Sequence, residues 1–448
     1  MAIDPPVERE AGMRSTSRRV GTLFGVFLAV ALLATACSSS KKNNSNGTAS
    51  NQPVTLQVNL FGTFGYKEAG MFDQYHALHP NVTIAYNSVE QEQNYYQALQ
   101  THLAAGSGLG DIQGIEVGRI AEQVQTQADK WVNFNDYGGA NLKSNFYPWK
   151  WQEATSQDGR TIGLGTDIGP MGLAYRTDLF KKAGLPTDRQ KVAALWPTWQ
   201  DYVNVGKTYQ AHAPTGSAFM DSASGMFNAI VGASPQQYYD SNGNTIYDTN
   251  PLVKNAWNLA MQAVASKESA KLKQFDTPWN QAFSNGAFAT IAAPSWMLGY
   301  IKGQAGDKAA GKWDVTTAPG GTGDWGGSYL AVPKASKHVA EAVALAEWLT
   351  APQQQVTLFT KQGSFPSSSV AAQDTKVASA KNDYFNNAPI GQIFAASAAK
   401  LPVAVLGPKD GVIKDTFSTA IQRVEQQGMS PDASYSKFLA DIKNALNA

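Results

Sequence analysis

The alternation of element types between residues 54 and 117 constrains the fold more than any other feature of the chain. Residues 54–60 (VTLQVNL) alternate apolar and polar side chains, the period-two pattern of a half-buried strand. A helix-forming stretch at 67–78 follows, then a strand at 82–86, a helix at 93–105 and a strand at 111–117. Strands separated by helices of this length return through crossovers instead of hairpins, so the segment predicts an α/β fold with a mostly parallel sheet covered on both faces. Short strands at 161–165, 171–175, 287–292 and near Trp313 and Tyr329 continue the pattern. They are embedded among helices at 198–210, 251–266, 277–284 and 295–301, and further helices complete the chain. A length of 448 residues fits two or three domains, and a 43% hydrophobic composition supplies a large core.

The N-terminus reads differently. Arg14, Arg18 and Arg19 precede an apolar run at 20–33, and small residues lead into Cys37, the single cysteine. A basic start, a short apolar stretch and a small-residue cut site describe an export signal over 1–36. The run is shorter than the ~20 apolar residues of a spanning helix, which argues against an uncleaved anchor. The small-small-Cys ending resembles a bacterial lipobox, with Ala34 where that motif prefers Leu. This resemblance implies that Cys37 is acylated and becomes the mature N-terminus. Ser17-Arg18-Arg19 fits twin-arginine export, whereas Gly21 and Thr22 depart from that signal's apolar pair, so this route and Sec both stay open. Residues 38–53 contain no large apolar side chain, so 37–53 reads as a lipidated cysteine and flexible tether.

Charge and motifs remove several function classes. The net charge of +1, from 36 Lys and Arg against 35 Asp and Glu, leaves no broad basic surface for nucleic acid. One cysteine excludes a disulfide framework and any Cys-rich metal centre. There is no HExxH, GxSxG, Walker loop or CxxC. The GxG at 106–108 follows a helix instead of a strand and reads as a turn. His76 and His79 share an i, i+3 spacing that two surface histidines satisfy without a metal. A hairpin is expected at 239–247, turning on Asn242-Gly243. Its Asp240, Asn242 and Asn244 resemble a calcium loop, but Thr245 replaces the required glycine and no acidic residue closes it. No metal or cofactor is therefore expected. Carboxylates for glycoside hydrolysis can meet from anywhere in a chain, yet no local context singles out a pair.

Aromatic residues are abundant in loop-like settings: Phe61, Phe64 and Tyr66 after the first strand, Trp296 after Pro294, and Trp325 beside Gly326 and Gly327. Sugars present flat C–H faces that stack on rings, while carboxylates and amides take their hydroxyls, so a cleft combining both suits a neutral polyol. Trp199 reads as core beneath a helix capped by Thr198. Trp325, among the glycines at 320–327, reads equally as packing or as a ligand contact.

Segments in order along the chain resemble the extracellular solute-binding proteins of family 1, the sugar-binding lipoproteins of bacterial ABC importers. They are HPNVTI at 79–84, AAGSGLGDI at 104–112, LAYRTDLFKKAG at 173–184, PTWQDY at 197–202, FSNGAFATIAAPSW at 283–296 and EWLTAPQQQ at 347–355. Leu109-Gly110 and Asp201 depart from the family pattern. The resemblance implies a two-lobe, periplasmic-binding-protein-like fold with a hinge and an interlobe ligand cleft. Lobe one would comprise 54–168 plus 326–370, and lobe two 169–325 plus 371–448. It implies a monomeric receptor, lipid-anchored on the outer face of the cytoplasmic membrane, that passes a sugar, an oligosaccharide by this reading, to a membrane permease without chemistry. By position, Glu116 and Asp167 would bond sugar hydroxyls, Trp296 and Trp325 would stack, and Gly326-Gly327 would offer backbone. Phe64, Tyr66, Asp221 and Phe365 are further candidates. A non-sugar solute and an exported carbohydrate-active enzyme remain the alternatives.

Overall fold

A computed structural model describes residues 52–447. The expected export signal, Cys37 and most of the expected tether lie outside the described residues. The strands are β1 (Val54–Phe61), β2 (Val82–Val89), β3 (Ile112–Glu116), β4 (Leu164–Gly165), β5 (Met171–Arg176), β6 (Ala218–Met220), β7 (Phe288–Pro294), β8 (Trp313–Thr317) and β9 (Ser328–Ala331). They form two sheets, ordered β2-β1-β3-β9-β4 and β6-β7-β5-β8.

The first sheet starts as expected, with β1 parallel to both β2 and β3. The expectation of mostly parallel pairing then fails. β9 runs antiparallel to β3 and β4, and β5 runs antiparallel to β7 and β8. The reason is connectivity. β5 and β9 are the strands by which the chain arrives from the other sheet, so they begin at the edge where the crossover-fed strands end.

Each sheet is covered on both faces. In the first, Leu56, Val58 and Leu60 pack against Leu345 and Leu349 of the helix Val339–Thr350. Ile115 faces the opposite side, with Tyr95, Leu99 and Trp131. In β5 the period of two is explicit: Leu173 and Tyr175 enter one core with Phe180, Tyr202 and Phe417, while Ala174 enters the other with Ile291 and Trp313. Full burial of side chains of this size stabilises by about 1.5–3 kcal/mol each.

Local readings resolve in physical terms. Thr198 and Asp201 form a reciprocal capping box on the helix Trp199–Gln210, and Trp199 packs edge-on against Tyr202, centroids 5.4 Å apart. Gly106 ends the helix Glu92–Ala105 at φ 64°, so the GxG is a helix stop. His76 Nδ1 pairs with the Val82 carbonyl at 2.6 Å, and the His79 ring packs at a tilt against Tyr75, centroids 4.4 Å apart. The hairpin at 239–247 reduces to a single bridge, Tyr239 to Thr245. Asp240 Oδ1 accepts from the Asn242 and Asn244 amides, so the carboxylate caps its own turn.

The chain passes between the sheets three times, and these passes are stitched together. Ile168 N donates to Phe365 O (2.9 Å), Met171 N to Gly323 O (3.0 Å) and Trp325 N to Gly169 O (3.0 Å). Behind them sits a buried ion cluster: Lys150 lies 3.7 Å from Glu153 and 3.9 Å over the Tyr329 ring. The third pass runs along the helix Pro352–Gln362. There Leu358 joins the first core while Val356 and Phe359 join the second, ahead of the boundary drawn at residue 370.

Candidate functional site

A cavity of about 240 Å³ opens between the two lobes. Strand ends of the first sheet supply one wall: Phe61 to Phe64 after β1, Glu90 to Gln93 after β2, and Glu116 at the end of β3. The opposite wall combines Lys273, Gln274 and Phe275 with one side of the helix Asp410–Gln427, namely Lys414, Asp415, Ser418, Thr419 and Gln422. Positions i, i+1, i+4, i+5 and i+8 share a helix face, so a single stripe turns inward. The crossing strands close the floor with Asp167, Trp325, Gly326 and Gly327.

The rings form a corner. Trp296 and Trp325 meet at 81° with centroids 6.0 Å apart, and Trp296 Nε1 donates to the Trp325 carbonyl at 2.9 Å. Phe275 stacks on Trp296 at 24° and 6.4 Å. Gly326 is required here: at φ 98°, its Cβ would stand 2.8 Å from Trp296 Nε1. Gly327, at φ 92°, admits the Lys150 ammonium, which a Cβ would approach to 3.1 Å.

The carboxylates of the cavity are engaged by neighbours. Glu116 Oε2 caps the helix Val117–Thr126 by accepting from Gly118 N (2.6 Å), and Oε1 accepts from Lys414 Nζ across the cleft (3.1 Å). Burial works against its charge, but Lys414, Arg119 and the Gly118 amide outweigh it and hold the carboxyl below its ordinary value. Asp167 Oδ1 accepts from Thr166 Oγ1 (2.6 Å) and Ser328 N (3.1 Å), and burial pushes its pKa up. Next to the floor residue Trp325 but outside the lining, Asp324 is lifted by burial to about 7, while its Oδ1 accepts from Gly169 N. Glu90 accepts from Tyr300 of the opposite lobe.

A buried interlobe link is made by Arg119, which is 3% exposed. Its guanidinium reaches Glu92 at 3.2 Å on its own lobe and Asp415 at 2.5 Å on the other, and lies 4.4 Å from the Tyr96 ring centroid. Gly411 makes room, since a Cβ there would stand 2.3 Å from Arg119 Nη1.

Comparison with known proteins fits this two-lobe geometry. Residues 70–386 match the family model described as bacterial extracellular solute-binding protein. The chain belongs to that family. It is similar to a crystallised extracellular solute-binding protein of family 1, at 42% identity over 88% of this chain and 100% of that one, with a TM-score of 0.73. It is 27% identical to a lactose-binding protein of Rhizobium radiobacter, covering 79% of this chain and 82% of that protein. At 19% identity it shares the fold of an ABC-transporter binding protein from B. animalis subsp. lactis Bl-04, seen with β-1,6-galactobiose (TM-score 0.75; 87% and 97% covered). As an extracellular solute-binding protein, it is exported.

Of the residues selected in sequence, Phe64, Glu116, Asp167, Trp296, Trp325, Gly326 and Gly327 come together around this cavity. Tyr66, Asp221 and Phe365 do not line it. Tyr66 is 1% exposed in the first core, and its hydroxyl has no hydrogen-bond partner among the described residues. Phe365 packs edge-on against Phe359, and its amide is held by Ser295 Oγ (3.1 Å). Asp221 stands behind the wall, where Oδ2 accepts from Gln274 Nε2 (2.9 Å) and Trp279 Nε1 (2.8 Å). Sequence reasoning missed the wall at 273–275 and the stripe on Asp410–Gln427. The stripe had a signal: polar Lys414, Asp415, Ser418, Thr419 and Gln422 interleave with buried Ile413, Phe417 and Ile421 on a helix polar on two sides.

Proposed function

We propose that this protein is the substrate-binding component of an ABC importer and takes a neutral sugar between its lobes for delivery to a membrane permease. The observation that carries this reading is the wall chemistry. A corner of aromatic faces (Phe275, Trp296, Trp325) shares the cavity with hydroxyl, amide and ammonium groups (Gln274, Ser418, Thr419, Gln422, Lys414), and the cavity carboxylates are already partnered. Stacking supplies apolar contact and the polar groups supply orientation, as a polyol requires. Glu116, Asp167 and Lys414 are assigned to sugar hydroxyls, Trp296 and Trp325 to stacking, and Gly326-Gly327 to backbone contact.

A volume of about 240 Å³ falls just below the ~300–1,000 Å³ usual for drug-sized ligands, so this reading narrows the ligand to a short sugar instead of a long oligosaccharide. Hydrolysis would need one free nucleophilic carboxylate beside a protonated one. Glu92 and Glu116 are both tied to cations, which favours binding without chemistry. The carboxylates lining the cavity likewise disfavour an anionic solute.

Cys37, with the polar tether behind it, is proposed as the lipid anchor of a monomeric receptor on the outer face of the membrane. One acyl chain holds only marginally, so stable attachment implies more than one. Cys37→Ser should release the protein or leave its precursor uncut, and unchanged membrane fractionation of a processed variant would refute the anchor.

A thermal-shift screen of mono- and disaccharides, including lactose and β-1,6-galactobiose, tests the central reading. A sugar at 100-fold its dissociation constant should add about 2.7 kcal/mol of stability. Stabilisation by amino acids or peptides and by no sugar would overturn it, as would product formation from an oligosaccharide.

A further inference from the structure

The wall at 273–275 belongs to a strained segment. Between the helices Pro251–Ala265 and Thr277–Asn285, three non-glycine residues adopt left-handed backbone: Lys267 (φ 58°), Lys271 (φ 59°) and Phe275 (φ 66°). Such conformations cost backbone energy and persist only where surrounding contacts over-determine them.

Here the contacts come from behind. The segment runs alongside β6 as a short added strand: Met220 N donates to Glu268 O, Ala270 N to Met220 O (2.8 Å) and Leu272 N to Asp221 O (3.3 Å). Glu425, 3% exposed, then anchors the turn. Its Oε1 accepts from Ser269 Oγ (2.5 Å) and Ala223 N (2.9 Å), and Ser269 Oγ in turn accepts from Lys271 N (2.9 Å), the left-handed residue itself. Asp221, 2% exposed, anchors the tip by accepting from Gln274 and Trp279. Gln274 also fits against Gly225, whose Cβ would stand 2.4 Å from Gln274 Nε2. Phe275, next in sequence, then lies over Trp296 and edge-on to Tyr300 at 5.7 Å.

We propose that Asp221 and Glu425 are positioning residues for solute binding: from behind the wall they hold the left-handed segment 267–275 in the shape that carries Lys273, Gln274 and Phe275 into the cavity. This rests on the cavity being the sugar site. Two carboxylates are kept in the interior, and each ties this segment to a neighbouring element: Glu425 joins Ser269 to Ala223, and Asp221 joins Gln274 to Trp279, a burial that is costly unless the segment must be held. The sequence selected Asp221 as a direct contact; the geometry makes it act through Gln274.

The test uses the full chain and two readouts on each variant. Trypsin cleavage after Lys271 and Lys273, followed by mass spectrometry and normalised to cleavage elsewhere, reports the segment without any ligand. Calorimetry with lactose reports the cavity. Asp221→Ala should speed cleavage at these lysines at least tenfold and weaken lactose binding about tenfold. Asp221→Asn, whose amide oxygen accepts from the same donors, should rescue most of both losses. A folded Asp221→Ala protein with parental cleavage overturns the proposal, as does Asp221→Asn failing like Asp221→Ala. Should Asp221→Ala not fold, Ser269→Ala makes the same test at the Glu425 anchor. If the parent binds no lactose, the sugar reading loses that ligand while the cleavage ratio still decides the inference.

Discussion

On the first-sheet side of the cavity, Phe64, Glu90, Glu92 and Glu116 all stand at or just beyond the ends of parallel strands. The sheet itself places them, in the crevice outside strand C-termini that serves α/β sheets as a ligand site. On the second-sheet side, β6, β7 and β8 are shorter or pair antiparallel, and the wall is built from a left-handed segment and a helix flank. Charge is distributed accordingly. The strand-end wall presents carboxylates matched by cations that reach across the cleft, while the other presents rings and amides held from behind. A wall placed by a sheet should survive loss of single contacts; a wall placed by buried anchors should not.

The largest expected effect concerns the bridge between the walls. Arg119→Met strands Glu92 and Asp415, and breaking a buried ion cluster costs about 3–5 kcal/mol. Urea unfolding should register that loss, and adding Glu92→Gln should recover part of it. A loss below about 1 kcal/mol would mean that the two walls meet without this link.

Next come the groups assigned to the sugar. A hydrogen bond to a charged group is worth roughly 1.5–3 kcal/mol, so Glu116→Ala and Asp167→Ala should each weaken sugar binding about 10- to 150-fold. Glu116 also caps a helix and Asp167 also clamps Ser328, so calorimetry must be paired with melting curves. Lower melting with affinity within twofold of the parent would make both purely structural. Trp325→Ala should lose about 1–3 kcal/mol of binding, by analogy with base–aromatic stacking, and Trp325→Phe less. A lower melting point with intact affinity would make Trp325 a packing residue for Trp296.

How much of this was legible follows the same division. The βαβ alternation and the strand-end residues Phe64 and Glu116 are readable because period and turn position are local properties. Trp296, Trp325 and the glycine pair are readable because close approach demands glycine locally. The antiparallel pairing of β5 and β9 depends on which lobe the chain arrives from, which no local pattern encodes. Asp221, Tyr66 and Phe365 were placed in the cleft because residue type alone does not distinguish a wall from its backing. The segment 267–275 was missed because Lys and Phe carry no sign of left-handed backbone.

The smallest effect sets the walls apart by pH. In the second lobe, burial raises Asp221 to about 6, Glu425 to about 7 and Glu268 to about 8. A carboxyl whose folded pKa exceeds its unfolded value, near 4, contributes stability that is complete below that value and is lost as pH rises through the folded one. Glu116 on the strand-end wall is shifted the opposite way, so its contribution is present above its unfolded pKa and fades only in acid. The melting temperature should therefore fall between pH 5.5 and 8.5, driven by the second lobe. Glu268 isolates the effect: neither of its oxygens has a hydrogen-bond partner among the described residues, and it does not line the cavity. Glu268→Gln should raise the melting temperature by about 2 °C at pH 8.5, a small shift because unfolding entropy is large in a chain of this size. The gain should shrink through pH 5.5 and vanish near pH 4, where the parent side chain is neutral in the folded and the unfolded chain alike. An equal gain at both ends of this range would assign the effect to packing against Gly206, whose Cβ position lies 2.2 Å from Glu268 Oε2, and would remove Glu268 from the pH slope.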